Sequence, residues 1–362
     1  MLQPCQRYSL QALASQRFSP ETARELALNV ACRLAHQTES CTKLIDKLSS
    51  AANKPSLASI KNLNHIRYVN KDTHRLTNHI GNNQNLFQRW KRADQHVVKA
   101  SFEEVRSRHA TCIERWVDVV SEFREEEDFV TNDILTRFYG VQLLCDHYVQ
   151  LHKEGTGQLH HATPNTGGGG VSVDCLVQDC IDDAYTEAAA ICEAHLQDFP
   201  ELDGWEGSNV RATVIQPWLH HTLVELLKNA MRASVEHVQT KSSSSPPPPI
   251  RVMVEEKPDV VVITVQDRGG GLPIPKDYTE SDIERFFLLG HTSEAKRWDR
   301  LDEQQSYAAV RSPLSSLGVG LSVSRLMMRH FGGDVTLGPN TIDGIGCMAQ
   351  IQIATDTSLL EQ

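Results

Sequence analysis

The chain has 362 residues, of which 40% are hydrophobic, and its 36 basic and 46 acidic side chains give a net charge of −10. This length predicts two domains, each with enough apolar residues for a core. The negative charge disfavours nucleic acid as the main partner, and no uncharged apolar stretch reaches the roughly 18 residues that a membrane span needs.

The first twenty residues contain Arg7 and Arg17, several Ser and Gln, and no acidic residue before Glu21. This composition is compatible with the end of a mitochondrial transit peptide. An ordinary polar N-terminus explains it equally well, so both interpretations stay open.

Residues 20–152 are predicted to be helical. The first helix begins at Pro20 and carries Leu26, Val30 and Leu34 at helical spacing. Similar apolar repeats continue through FEEVRSRHATCIERWVDVVSEF and NDILTRFYGVQLLCDHYVQLH. Because no strand pattern separates these amphipathic segments, we expect residues 1–160 to form an all-α bundle.

The composition changes at the Gly-rich stretch 154–170, which is predicted to be a flexible linker. Beyond it, two helices precede the tract KSSSSPPPP, which predicts a surface loop. The runs IRVMV and VVVITV then predict a hairpin, and a helix ending at Gly332-Gly333 and the strand CMAQIQI follow. This order predicts an α/β sandwich over 171–356, a mixed sheet with helices on one face.

The nine cysteines and sixteen histidines show no spacing typical of a metal motif. No two cysteines are separated as C-x-x-C, which disfavours a zinc ribbon and a thioredoxin-like motif. We therefore expect reduced thiols, as is usual in an intracellular compartment.

The stretch WLHHTLVELLKNAMRAS, residues 218–234, is an apolar helix with one polar stripe. His221, Glu225 and Asn229 follow at intervals of four and share a face, and Lys228 and Arg232 flank them. A helix that keeps a base, an amide and two cations on one side is predicted to be built around a ligand. The alternative is a surface helix with a solvated face.

Asp267 ends the strand VVVITVQ and is followed by Arg268 and three glycines. A carboxylate there accepts hydrogen bonds, for which an adenine amino group is a suitable donor. Glycines allow the backbone to approach a planar base, although a tight turn uses the same residues.

The segment Gly318-Val319-Gly320-Leu321 opens a predicted helix. Glycines before a helix N-terminus leave backbone N–H groups free to hold phosphate. The Walker A motif is absent, which excludes a P-loop NTPase, and the HRD and DFG motifs of protein kinases are also absent.

The order ExxKNAxR, DxGGG and GxGL resembles the nucleotide-binding fold of the GHKL superfamily of gyrase-type ATPases, histidine kinases and mitochondrial dehydrogenase kinases. ELLKNAMRAS, DRGGG and DGIG are most similar to the mitochondrial kinases of pyruvate and branched-chain 2-oxoacid dehydrogenases. The helical half also resembles that family's N-terminal bundle, and the H-E-x-x-x-P pattern of histidine kinases is not found.

Chemistry and resemblance together imply that Asn229 binds Mg²⁺ and that Glu225 is the general base toward a serine hydroxyl. His221 either orients Glu225 or is structural. Lys228 and Arg232 lie near the phosphates or neutralise a neighbouring carboxylate.

The resemblance also implies the rest of the ATP site. Adenine contacts are expected from Asp267, Gly269 and Gly271, a hydroxyl pair beside the nucleotide from Thr292 and Ser293, and phosphate contacts from Gly318, Val319, Gly320 and Leu321. Backbone carbonyls of Phe286, Leu288 and His291 are expected to hold K⁺, and 290–317 to form the ATP lid.

Several positions depart from the family pattern. Cys347 replaces the threonine of the closing GxGT motif, and Ser316 and Ser322 replace a glycine and a proline. Phe138 and Gln142 stand where typical members have arginines near an oxoacid-sensing pocket, which puts regulation by a 2-oxoacid in doubt.

The predicted function is that of an ATP-dependent serine kinase that phosphorylates and inhibits the dehydrogenase component of a mitochondrial 2-oxoacid dehydrogenase complex. Family precedent implies docking to a lipoyl-bearing acyltransferase core, a homodimer and a mitochondrial matrix location. The alternatives are a sensor-type histidine kinase and a divergent, non-catalytic ATP-binding scaffold. His221 is typical of the pyruvate type and DGIG of the branched-chain type, so that choice stays open.

Overall fold

The computed structural model describes residues 4–50, 56–122, 128–157, 170–206, 209–240, 245–272, 274, 278–288, 318–340 and 346–361. The chain divides into two compact units. One comprises residues 1–173 with 360–362, and the other comprises residues 174–359. Among the described residues, no helix is long and apolar enough to cross a membrane.

The first unit is helical, as predicted. Its helices are α1 (Leu10–Ser15), α2 (Pro20–Ser50), α3 (Leu57–Asn82), α4 (Gln84–Arg89), α5 (Arg92–Glu122) and α6 (Asp128–Gly155). The four long helices pack in a closed bundle, in which α2 contacts α3 and α6, and α5 contacts the same two helices. Leu26, Val30 and Leu34 of α2 are completely buried, because their spacing of four places them on one face.

The positions that depart from the family arginines lie on α6. Phe138 is buried and stacks on His109, with 4.2 Å between the ring centroids. Burial lowers the pKa of His109 to about 3, and its Nε2 lies 2.9 Å from the Gln37 side-chain oxygen. Gln142 donates a hydrogen bond to the carbonyl of Arg106 at 3.3 Å. A neutral ring stack and an amide therefore occupy these positions.

The chain's last residues are part of the helical unit. Leu360 pairs with Ser9, and the backbone of Glu361 donates to the Tyr8 carbonyl at 2.8 Å. The Glu361 carboxylate forms two hydrogen bonds with the Arg33 guanidinium, one of 2.9 Å. Both side chains are buried, and Arg33 also donates to Asn29 at 2.8 Å. This ion pair joins residues 328 positions apart.

The second unit is built around a sheet. Its elements, with β1 crossing the unit boundary, are β1 (Val171–Leu176), α7 (Val177–Leu196), β2 (Leu202–Glu206), β3 (Arg211–Ile215), α8 (Gln216–Thr240), β4 (Ile250–Glu256), β5 (Val260–Gln266), α9 (Glu280–Glu284), a 3₁₀ turn (Arg285–Phe287), α10 (Gly320–Arg329), β6 (Asp334–Pro339) and β7 (Cys347–Ala354). The strand order is β2-β4-β5-β7-β6, with β2 parallel to β4 and the other neighbours antiparallel. Strands β1 and β3 form a separate pair.

The predicted hairpin of β4 and β5 is confirmed, with Arg251 opposite Gln266 and Glu256 opposite Val261. Alternate residues of β4 are buried and join α7 and α8 in one apolar core, because side chains of a strand alternate between its two faces. The predicted α/β sandwich is therefore confirmed. The strands β1, β2, β3 and β6 were missed, since runs as short as LDGWE and DVTLGP resemble loops by composition.

Candidate active site

The polar stripe of α8 lies within a largely buried helix. Glu225 and Lys228 are buried at 8% and 7% exposure, whereas Asn229 is exposed. Ala233 continues the row that runs through Glu225 and Asn229, one helical turn further. A solvated surface helix would not bury two charged side chains. The structure therefore disfavours the alternative of a surface helix with a solvated face.

Two polar atoms on this face are buried without a hydrogen-bond partner among the described residues. Glu225 Oε1 lies 2.5 Å from Lys228 Nζ, but Glu225 Oε2 receives no donor there. His221 Nε2 is equally unpartnered, and no hydrogen bond joins it to Glu225 within the described part of the chain. Burial lowers the pKa of His221, although the Glu225 carboxylate opposes this shift, and so favours a neutral ring. A buried polar atom without a hydrogen bond lowers stability unless a ligand or a water molecule supplies the missing partner.

The N-terminus of α10 lies against Glu225. A Cβ added to Gly320, the first residue of α10, would overlap the Glu225 carboxylate. Val319 precedes the helix without a side-chain cap, so the first N–H groups of α10 have no capping side chain. Uncapped N–H groups beside glycine are suited to an anion. The predicted phosphate-binding turn and the predicted base are therefore neighbours.

Asp267 is buried where β5 ends. Its Oδ1 accepts hydrogen bonds from the backbone N–H groups of Gly269 at 2.8 Å and Cys347 at 3.1 Å. Burial raises the pKa of Asp267, and those two donors and His237 lower it. Among the described residues, Oδ2 receives no hydrogen bond. It is the carboxylate oxygen left for a donor on a ligand.

The glycine turn after Asp267 also lies on α8. A Cβ on Gly269 would overlap Ala233, and Gly271 has φ of 90°, a conformation that glycine adopts without strain. Gly320 meets α8 at Glu225, so the two glycine contacts are about 12 Å apart along the helix axis. Asn229 lies midway between them with its amide exposed.

Both flanking cations are paired with carboxylates. Lys228 contacts Glu225, and Arg232 Nε donates to Glu236 at 2.8 Å. These contacts agree with the neutralising interpretation. A lysine ammonium has three N–H donors and a guanidinium five, so one carboxylate contact leaves the phosphate interpretation open as well.

Some predicted site residues fall outside the described part of the chain. These are His291, Thr292, Ser293 and the lid 290–317. Phe286 belongs to the 3₁₀ turn and Leu288 follows it. Arg325 of α10 holds this turn, with its guanidinium 4.2 Å from the centre of the Phe287 ring and hydrogen bonds of 2.5 and 3.0 Å to Glu284.

Sequence reasoning missed two supports of Asp267. Asn340 is buried and donates its side-chain amide to the Asp267 carbonyl at 3.1 Å. Cys347 contributes its backbone N–H, so the replacement of threonine by cysteine leaves this support in place. Burial and Asp267 raise the pKa of the Cys347 thiol to about 12. The DGIG motif was the available signal, since it precedes Cys347 directly.

The fold of the second unit agrees with the protein family that its sequence matches. Residues 215–356 match the family described as histidine kinase-, DNA gyrase B- and HSP90-like ATPase. The second unit has the GHKL-type fold. A weak structural likeness joins it to the catalytic domain of histidine kinase ThkA, with a TM-score of 0.33 and 15% identity over 51% of this chain and 96% of that one.

The relatives that match most of the chain are kinases of pyruvate dehydrogenase. Isozyme 1 of the mitochondrial pyruvate dehydrogenase (acetyl-transferring) kinase of Mus musculus is 29% identical over 71% of this chain and 58% of its own length. Isozyme 3 of Homo sapiens is 28% identical, over 69% and 60%. The resemblance inferred from the motifs is therefore confirmed. The matches span less than two thirds of these relatives' length.

Replacing Asp267 by asparagine should weaken ATP binding, because an amide donor would then face the adenine amino donor. A hydrogen bond to a charged group contributes about 1.5–3 kcal/mol, which corresponds to roughly 10- to 150-fold in Kd. Isothermal titration with ATP measures this change. Asp259→Asn, at an exposed hairpin position, is the control. Equal affinities of a folded Asp267→Asn variant and wild type would contradict the adenine role.

Replacing Gly320 by alanine should impair the site through steric overlap. The added methyl group meets the Glu225 carboxylate, and such overpacking costs about 1–3 kcal/mol. We expect ATP affinity or phosphoryl transfer to fall by about 5- to 150-fold, the equivalent of that cost. Gly338→Ala is the matched control, since its Cβ meets no atom within 4 Å. A Gly320→Ala variant as active as Gly338→Ala would argue against the close approach of α10 to Glu225.

Proposed function

We propose that this chain is an ATP-dependent protein kinase of the 2-oxoacid dehydrogenase kinase type. The similarity to pyruvate dehydrogenase kinases and the GHKL-type domain support a kinase that uses this nucleotide fold. We further propose that the phosphate acceptor is a serine and that the substrate is a dehydrogenase.

The position of the Glu225 carboxylate supports the catalytic role that we propose for this residue. Glu225 is buried against the uncapped start of α10, and its Oε2 has no partner among the described residues. A structural carboxylate in this position would be expected to have both oxygens satisfied. A general base instead needs one oxygen free for the proton that it accepts.

The proposed chemistry is transfer of the γ-phosphoryl group to a serine hydroxyl. The serine oxygen attacks phosphorus, the bond between phosphorus and the β,γ-bridging oxygen breaks, ADP leaves and Glu225 Oε2 takes the hydroxyl proton. The α10 N–H groups hold phosphate oxygens, and Asp267 orients the adenine. The neutral His221 ring lies one turn before Glu225 and can orient its carboxylate.

The residues present fit a magnesium ion. Asn229 offers an exposed amide oxygen between the two glycine contacts of α8, and Mg²⁺ prefers such oxygen ligands. When bound there, Mg²⁺ supplies charge neutralisation at the phosphates. A potassium ion at the carbonyls of Phe286 and Leu288 is a further part of the proposal.

The proposed partners follow the relatives, which are named as mitochondrial pyruvate dehydrogenase kinases. We infer that the substrate is the dehydrogenase component of a 2-oxoacid complex in the mitochondrial matrix, where phosphorylation inhibits it. Docking to a lipoyl-bearing acyltransferase core and a homodimer belong to the same proposal.

Purified chain should be incubated with labelled ATP, Mg²⁺ and each dehydrogenase component in turn. Label on a serine of one component supports the proposal. Label on a histidine of the chain itself would overturn it in favour of a sensor-type histidine kinase. Tight ATP binding without transfer to any component would overturn it in favour of a scaffold.

Inhibition by a 2-oxoacid is not expected. The stacked Phe138 and the amide of Gln142 provide no cation for a carboxylate on α6. Transfer rates measured with pyruvate and with a branched-chain 2-oxoacid should equal the rate without them. A rate that falls with either acid would contradict this expectation.

A further inference from the structure

Three side chains of types that bind metal ions lie together in the helical unit. They are far in the sequence from the residues of the proposed ATP site. Cys5 belongs to the irregular segment before α1, and Cys32 and His36 lie one turn apart on α2. One ligand atom from each lies within 4.8 Å of the other two. The Cys5 and Cys32 sulfur atoms are 3.0 Å apart.

We propose that Cys5, Cys32 and His36 bind one Zn²⁺ ion. Two thiolates and an imidazole are ligands that zinc prefers, with Zn–S near 2.3 Å and Zn–N near 2.0 Å. In a tetrahedron with those bond lengths two sulfur ligands are about 3.8 Å apart. The observed sulfur pair therefore needs to open by less than about 1 Å. The pair is also longer than the roughly 2.05 Å of a disulfide, so it represents two thiols.

The exposure and the charges of the cluster suit this ion. All three residues are half-buried, which leaves a solvent-facing side for water as the fourth ligand. Binding would release both thiol protons, and two thiolates balance the dication. The neighbouring Arg33 guanidinium is paired with the Glu361 carboxylate. The ion and its two thiolates together add no net charge beside this pair.

The ion would fasten the N-terminal segment to α2. Cys5 comes from the segment that leads to α1, whereas the other two ligands share one helix face. A metal bond between them removes freedom from that segment and stabilises the folded bundle. Cys32 and His36 are only four residues apart, but the third ligand, Cys5, is far from them in the chain, so no local motif marks the site.

The test is a Zn²⁺ titration of the full chain against a chromogenic chelator, with reductant present and the thiols counted first. We expect one ion per chain. Cobalt at the same site should show thiolate-to-metal charge-transfer absorption. Cys5→Ser and Cys32→Ser should each weaken binding by more than the roughly 10- to 100-fold that follows loss of an outer-shell partner. Cys192→Ala, in the other unit, should bind as wild type does.

Hydrogen exchange gives a readout that does not depend on these variants. Zinc added to the wild-type chain should slow amide exchange in the peptide containing residues 4–9. No stoichiometric binding with both thiols reduced would overturn the proposal. Binding that survives Cys5→Ser or Cys32→Ser, or unchanged exchange at residues 4–9, would overturn it as well. None of these outcomes depends on kinase activity.

Discussion

Replacing Glu225 by glutamine is expected to lower the rate of phosphoryl transfer by about 10²- to 10⁴-fold, the usual contribution of a general base. Glutamine has the same shape and can still face Gly320, but it cannot accept the hydroxyl proton. ATP affinity should change far less than kcat, because we propose that Asp267 and α10 make the adenine and phosphate contacts. Single-turnover transfer from labelled ATP, with ATP affinity measured separately, tests both statements.

The matched control for this variant is Glu193→Gln, an exposed position on α7. It removes one carboxylate of equal size from the same unit and should retain the wild-type rate. If Glu225→Gln transferred phosphate as fast as Glu193→Gln, the general-base role would be wrong. If ATP affinity fell as much as the transfer rate, Glu225 would instead be needed to maintain the structure of the site.

Replacing Glu361 by alanine is expected to destabilise the helical unit by about 3–5 kcal/mol. The substitution leaves the Arg33 guanidinium buried without its carboxylate and removes the hydrogen bond from the Tyr8 backbone. The midpoint of urea unfolding, followed by the helical circular dichroism signal, should fall accordingly.

The control for Glu361→Ala is Glu39→Ala, which breaks an exposed pair with Lys43 on α2. Solvent-exposed ion pairs contribute little to stability, so its midpoint should barely move. Similar midpoints for the two variants would show that the buried pair contributes no more than the exposed one.

Much of the candidate site was predictable because its parts are local. His221, Glu225 and Asn229 share a face through the 3.6-residue period of one helix, and that period is readable without any partner. The same holds for the hairpin of β4 and β5, whose two strands are neighbours in the chain. These patterns come from hydrogen bonds between near neighbours.

Other features depend on segments that are far apart in the chain. The Cys347 N–H reaches Asp267 across 80 residues, and the β6 strand beside it contains Gly338 and Pro339, which composition assigns to a loop. The contacts of Lys228 with Glu225 and of Arg232 with Glu236 likewise depend on the packing around each side chain.

The sequence by itself determined the two-part architecture, the polar face of α8 and the order of the three motifs that resemble a nucleotide site. Only the tertiary structure decided that Gly320 lies against Glu225, that Glu361 pairs with Arg33, and that Cys5 joins Cys32 and His36. Helix and strand periods record each segment's own burial, whereas a contact between distant segments is specified by the packing of the whole unit. No local pattern carries that information.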